Sequence, residues 1–185
     1  MATREEILSA AQRHLISEPT ASLGDLASAA GIGRATLHRH FASRDELLVE
    51  IAERSLDRWQ ERLDHVDVEA VAASGDGERI RACLIELMHA YVLDAEEFGV
   101  ALTDHVATHT RALRERCDAL LDREVLLHAA GQETGVLRRD VPARWIGHAV
   151  YGLLVAARDA LEAGDVARRD LPDLVLTTLV DGVSA

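Results

Sequence analysis

Between Gly31 and Arg44 the chain reads GIGRATLHRHFASR, a stretch with three arginines, two histidines and no carboxylate. Each guanidinium carries a planar fork of N–H donors that fits guanine O6 and N7, or a phosphate, with two parallel hydrogen bonds. The full chain of 185 residues has a net charge of −12, so setting these three arginines aside leaves −15 for the remainder. A short basic patch kept free of acids in an acidic chain suits docking on a polyanion, and DNA is the expected partner. All 20 basic residues are arginine, and no function is drawn from that.

Other chemistry-bearing residues are weaker signals. His105 and His109 lie one helical turn apart, with Asp94, Glu96, Glu97 and Asp104 nearby. Such a pair binds zinc only if further ligands converge. There is no Cys-x-x-Cys and no His-Glu-x-x-His, and both histidines flank an expected helix break, so no metal is predicted. The Gly31-x-Gly33 pair follows no strand and is not a phosphate loop. No Gly-x-Ser-x-Gly elbow occurs, and the acid pairs Glu5-Glu6 and Glu96-Glu97 are ordinary on helix ends. Neither catalytic residues nor a cofactor are expected.

The elements that position the basic patch are helical. Thr3 with Glu6, Ser22 with Asp25, and Ser43 with Glu46 form three capping boxes, each followed by an apolar stripe at i, i+3/i+4, i+7 spacing. A further short helix is predicted over 33–41, entered through Gly31-Ile32-Gly33, whose glycines permit a tight turn. Helix, glycine turn and short helix make a helix-turn-helix, whose second helix enters the major groove. Leu37 and Phe41 then face the core, which leaves Arg34, Ala35, His38 and Arg39 outward. Arg34 and Arg39 are assigned to base edges and Ala35 to a thymine methyl. Thr36, His38, His40 and Arg44 are assigned to backbone oxygens, with Ser43 and Arg44 at the positive N-terminal end of the next helix.

Beyond residue 65 the segment 66–78 reads as a loop. Stripes predict a helix over 80–91 that breaks near 94–99, a short helix over 101–106 and a longer one over 113–126. After a break at 131–142, Asp140 reads as an N-cap with Pro142 in the first turn. Helices 145–161 and 170–183 are apolar on nearly every side, which predicts one face on the protein's own core and one on a second subunit. Gly147, Gly152 and Ala156 would let another helix approach closely. With 48% hydrophobic and 28% charged residues the chain has a soluble globular composition. Cys83 and Cys117 are too few for a disulfide scaffold and are expected as buried free thiols. The N-terminus lacks a secretory apolar stretch, and the longest uncharged apolar run, 145–157, is too short to span a bilayer. A cytoplasmic protein without membrane contact is predicted.

Residues 3–60 resemble the N-terminal DNA-binding domain of the tetracycline-repressor (TetR) family of transcriptional regulators. Leu26 to Gly33 (LASAAGIG), Ala35 to Phe41 (ATLHRHF) and Ser43 to Leu48 (SRDELL) carry the resemblance, and Gly135 to Pro142 resembles the family's later helices. In this chain His38 stands where the family usually has tyrosine, Gly33 where serine is common, Arg44 in place of lysine, and Gly24 in place of a basic residue. The resemblance implies an all-α protein of about nine helices. A helix-turn-helix DNA-binding domain would occupy 1–48, an effector-binding and dimerisation domain 49–185, and helix 44–65 would link them. The DNA-binding set is then Ser22, Gly33, Arg34, Ala35, Thr36, His38, Arg39, His40 and Arg44. For the effector pocket the candidates are Met88, His89, Phe98, Leu102, His105, Cys117, Trp145 and Tyr151, with His89 and His105 for polar contact. Implied partners are double-stranded operator DNA, a small-molecule effector and a second copy joined through helices 145–161 and 170–183. The function implied is a ligand-responsive repressor that binds a palindromic operator as a dimer and is released by the small molecule. The alternative is a helical ligand- or metal-binding dimer with no DNA-binding role.

Overall fold

The computed structural model describes residues 2–103 and 110–183, with the side chains at 96 and 98–103 excepted. The described residues form α1 (Arg4–Ser17), α2 (Leu23–Ala29), α3 (Arg34–His40), α4 (Arg44–His65), α5 (Val68–Ala73), α6 (Gly77–Thr103), α7 (Arg111–Glu133), α8 (Ala143–Ala163) and α9 (Leu171–Val183). A 3₁₀ turn at Arg168–Asp170 leads into α9, and no strand occurs among the described residues. The all-α expectation holds. Two compact units divide the chain: Met1–Ser55 with Glu96–Arg114, and Leu56–Ala95 with Glu115–Ala185.

In the first unit α1, α2, α3 and the start of α4 share one core of Ile7, Leu8, Ala11, Leu15, Leu26, Leu37, Phe41, Leu47, Leu48 and Ile51. Both halves of the first two capping boxes form: Glu6 N–H to Thr3 Oγ1 at 3.2 Å with Thr3 N–H to Glu6 at 2.7 Å, and likewise Asp25 with Ser22 at 3.3 and 2.9 Å. The third is only half a box. Glu46 N–H donates to Ser43 Oγ at 3.0 Å, but the Glu46 carboxylate takes the Ala42 N–H at 2.7 Å, one residue further upstream. The turn between α2 and α3 needs a glycine at one of its two glycine positions. Gly31 has φ +66, whereas Gly33 is extended at φ −75. The turn closes by Gly31 N–H to the Ser28 carbonyl and Ile32 N–H to the Ala27 carbonyl, both 3.0 Å. Ile32 is partly buried against the core as a plug.

The second unit departs from the expected breaks. Residues 66–78 are not a plain loop, because Val68 and Val71 are buried and anchor α5. α6 runs unbroken through 94–99 to Thr103. Asp94 lies on its inner side, where Arg62 of α4 donates to both carboxylate oxygens at 2.9 Å, and tertiary pairing overrides the acidic, glycine-bearing local signal. Asp140 does not cap α8. It pairs with Arg138, and the N-cap is Pro142, which has no side chain to donate or accept. Gly147 does permit close approach, since a Cβ there would sit 2.6 Å from Leu121 on α7. Gly152 faces open space. Arg123 of α7 reaches Asp64 at the end of α4 and Glu69 of α5, tying three helices together. No described helix is long and apolar enough to cross a membrane.

Candidate nucleic-acid interface and ligand cavity

α3 presents the predicted set outward. Arg34, Ala35, His38 and Arg39 are exposed, Thr36 and His40 half-buried, and Leu37 and Phe41 buried. Two features organise the arginines. The Arg34 guanidinium lies over α2, where a Cβ added at Gly24 would come within 2.9 Å of its Nε. Arg39 donates from Nη2 to Thr36 Oγ1 at 3.2 Å, so one turn of helix holds its own long side chain. Ser22 is exposed, but its hydroxyl caps α2 and contacts Asp25. Gly33 is the uncapped N-cap of α3.

Arg44 has a different setting from the one expected. Its Nε donates to the Ala21 carbonyl at 3.0 Å and its Nη2 to the Pro19 carbonyl at 2.6 Å. It therefore fastens the start of α4 to the turn after α1, and a phosphate contact would compete with those bonds. Sequence reasoning missed Arg4. Its guanidinium stacks 4.1 Å over the Phe41 ring, donates to the His40 carbonyl, and pairs with Glu46 and Glu50. A basic residue in a first helical turn reads as solvated, and only the fold brings it to the C-terminal end of α3.

The second unit encloses a cavity of about 280 Å³. Its walls come from α6 (Leu84, Met88), α7, α8 (Ile146, Val150) and α9 (Leu176, Leu179). Three buried polar side chains enter this lining, Tyr91, Glu124 and His128, and the exposed Arg81, Thr177 and Asp181 complete its polar part. Glu124 is 4% exposed and His128 is 2% exposed. Burial pushes the Glu124 carboxyl up to about 7, opposed by a hydrogen bond from Tyr91. Burial likewise holds the His128 imidazole down at about 4, against a hydrogen bond to the Ala143 carbonyl. His128 Nδ1 is buried with no hydrogen-bond partner. Tyr91 in turn accepts the indole N–H of Trp59 on α4 at 3.0 Å, and burial raises its phenol well above the ordinary value.

Of the predicted pocket residues, Met88 lies on this wall. His89, Cys117, Trp145 and Tyr151 do not; all four are exposed. Cys83 is buried, with its thiol pushed up to about 11, whereas Cys117 is exposed, against the expectation that both are buried. The side chains of Phe98 and Leu102, and His105 and His109 altogether, lie outside the described residues. Among the described residues no group of three His, Cys, Asp or Glu side chains could hold a metal ion. Glu124 and His128 were not predicted, and their only sequence signal is a spacing of four residues, which puts them on one face of a helix rich in charged residues.

A three-helix unit whose third helix presents arginines outward, with further helices lining a cavity in the second unit, has the form of a helix-turn-helix regulator. Residues 7–51 match the family described as bacterial regulatory proteins, tetR family. The HTH-type transcriptional repressor LfrR of Mycolicibacterium smegmatis is 27% identical over 181 residues, spanning 98% of this chain and 90% of that protein. Among solved structures, LfrR in complex with proflavine has a TM-score of 0.72 at 25% identity, covering 98% of this chain and 97% of that one. The regulator PfmR from Thermus thermophilus gives 0.63 at 26% identity, covering 97% and 94%. The family match thus lies in the first unit, and over nearly its whole length the chain is similar to TetR-type ligand-responsive DNA-binding regulators.

Proposed function

We propose that this regulator is a repressor that binds a palindromic operator as a homodimer and leaves it when a small molecule fills the cavity of the second unit. The observation that carries the reading is α3, whose outward face holds Arg34 and Arg39 on a rigid apolar core with no acid between Gly31 and Arg44. In this reading residues 1–48 bind DNA and 49–185 bind effector and partner, with α4 as the link. α3 enters the major groove, Arg34 and Arg39 read bases, and Ala35, Thr36, His38 and His40 meet methyl and phosphate groups. LfrR, solved with proflavine, supports a small molecule as the releasing signal.

The dimer is proposed through α8 and α9, at 145–161 and 170–183. Trp145 is 59% exposed, Leu174 49% and Tyr151 45%, and Gly152 and Ala156 leave the α8 surface low enough for a second helix. A gel-shift series on the DNA upstream of the gene, paired with sedimentation, tests the whole reading. A dimer that retards this DNA and releases it on adding a ligand is the expected outcome. A folded protein that retards no duplex, whatever its assembly, would overturn it in favour of a ligand-binding protein that never touches DNA.

A further inference from the structure

The buried end of the cavity has an unbalanced set of polar groups. Trp59 donates to the Tyr91 oxygen at 3.0 Å, and the Tyr91 hydroxyl interacts with the Glu124 carboxyl, holding back part of the rise that burial imposes on it. His128 is influenced by the Ala143 backbone, and its Nδ1 is buried with no hydrogen-bond partner, free to accept in the neutral imidazole. An ionised Glu124 adds further acceptor sites one turn away on α7, where residues four apart stand about 5–6 Å from each other. The walls beyond are aliphatic, and the volume of about 280 Å³ lies at the small end of ligand pockets. The buried end of the cavity therefore offers the Glu124 carboxyl and an unpartnered ring nitrogen, while Arg81, Thr177 and Asp181 of the lining are exposed.

We propose that the cavity selects a compact, mostly apolar cation bearing N–H donors, with Glu124 as its counter-charge and His128 Nδ1 as its second acceptor. The proposal rests on the reading that a small molecule occupies this cavity, and adds its chemical class. An anion would be set against the buried Glu124 carboxyl, and the guanidinium of the lining, Arg81, is an exposed residue away from burial. A neutral donor would satisfy Nδ1 but leave the carboxyl to stay protonated, because an isolated buried charge is costly. A cation removes that cost and draws Glu124 into its ionised form.

No other charge does this job inside the cavity. The titratable groups near Glu124 are Tyr91 and Cys83 from α6 and His128 and Cys117 from α7. α8 brings Ile146 and Val150, α4 brings the non-titrating Trp59, and Arg81 and Asp181 are exposed lining residues of α6 and α9.

The test uses three molecules of one shape and three charges: 2-naphthamidine, 2-naphthamide and 2-naphthoate, titrated calorimetrically into the full-length protein. The amidinium is expected to bind at least tenfold more tightly than the amide, with the naphthoate weakest. Glu124→Gln should cut amidinium affinity at least tenfold and leave the amide within about twofold, and His128→Phe should weaken the amidinium by a smaller factor. Should Glu124→Gln fail to fold, the unmodified protein still decides. At pH 6 amidinium binding should release a proton, read from the buffer dependence of the heat, and at pH 8.5 it should release almost none. Equal or tighter binding of the amide or naphthoate, no proton release at pH 6, or no binding of any of the three would overturn the proposal. DNA retardation assayed in parallel separates the two readings. Release by the naphthoate or amide alone keeps the regulator and discards the cation. Amidinium binding by a protein that retards no DNA keeps the cation and discards the regulator.

Discussion

The glycine at position 24 gives Arg34 its place, since the guanidinium occupies the space where any Cβ would stand. The close atoms belong to the far end of a flexible side chain, so Gly24→Ala is expected to fold normally. It should gain at most about 1 kcal/mol from the better helix former. Its effect should appear in DNA binding, with operator affinity altered while the urea midpoint stays or rises; a lowered midpoint would show that the backbone itself needs the glycine. The arginines of the basic stretch divide in the same way. Arg34→Ala and Arg39→Ala should lose sequence discrimination by about 1–3 kcal/mol each, measured as the ratio of operator to random-duplex affinity. Arg44→Ala forfeits two hydrogen bonds to backbone carbonyls, so it should lower folding stability by about 1–3 kcal/mol. An unchanged midpoint for Arg44→Ala, with affinity falling equally on all duplexes, would return that residue to a phosphate role.

At the scale of elements, α7 carries two buried titrating groups whose effects on stability oppose each other. The Glu124 carboxyl sits at about 7 against an ordinary 4.5, so the stability it contributes is full below about 4.5 and is lost as pH rises through about 7. The His128 imidazole sits at about 4 against an ordinary 6.5, so its contribution is full above about 6.5 and is lost as pH falls through about 4. Between about 4.5 and 6.5 the two slopes cancel. Glu124→Gln should unmask the histidine: relative to the unmodified protein, its stability should climb by on the order of 3 kcal/mol from pH 4.5 to 7. Urea unfolding at half-unit pH steps measures this, and a constant difference between the two proteins would contradict it. The same helix shows where the sequence was hard to read. Its apolar residues suggested a stripe through Leu113, Cys117, Leu120, Leu121, Val125 and Leu126; Leu113, Leu120 and Leu121 are buried, but the buried face continues through Glu124, Leu127 and His128, while Cys117 is exposed and Leu126 53% exposed. A stripe with a carboxyl and an imidazole on its inner side is out of phase with hydrophobicity. Nothing local corrects that. The first four helices were legible for the opposite reason, because the caps at Thr3 and Ser22 and the stripes behind them agree within each segment. Likewise α5 and the unbroken α6 depend on packing and on the Arg62–Asp94 pair, which no window of sequence contains.

For the molecule as a whole, charge decides how it must approach DNA. The net charge is −12, and it is −15 outside the three arginines of the basic stretch. Two copies therefore bring a strongly acidic body close to a polyanion and oppose it with two small patches. Operator binding by the proposed dimer should require both half-sites in phase, with non-specific affinity weak for a DNA-binding protein. Footprinting that protects one asymmetric half-site, or tight binding by the 1–65 fragment, would argue against this. Assembly is testable on its own terms. The outer residues are Trp145 and Leu174, while Leu176 lines the cavity and Val155 is half-buried. Leu174→Glu should give monomers by sedimentation without disturbing the cavity.

The chain has two tryptophans, and their settings differ. Trp59 shares a hydrogen bond with Tyr91, which reaches Glu124 in the cavity, whereas Trp145 is 59% exposed on α8. Each indole therefore emits from the neighbourhood of a different event. With Trp145→Phe, the remaining emission should shift in wavelength or intensity when the cavity fills and ignore dilution. With Trp59→Phe, it should report the separation of subunits and ignore the ligand. Occupancy and assembly can then be followed separately, each by the indole emission of one single-tryptophan variant, with no dye attached.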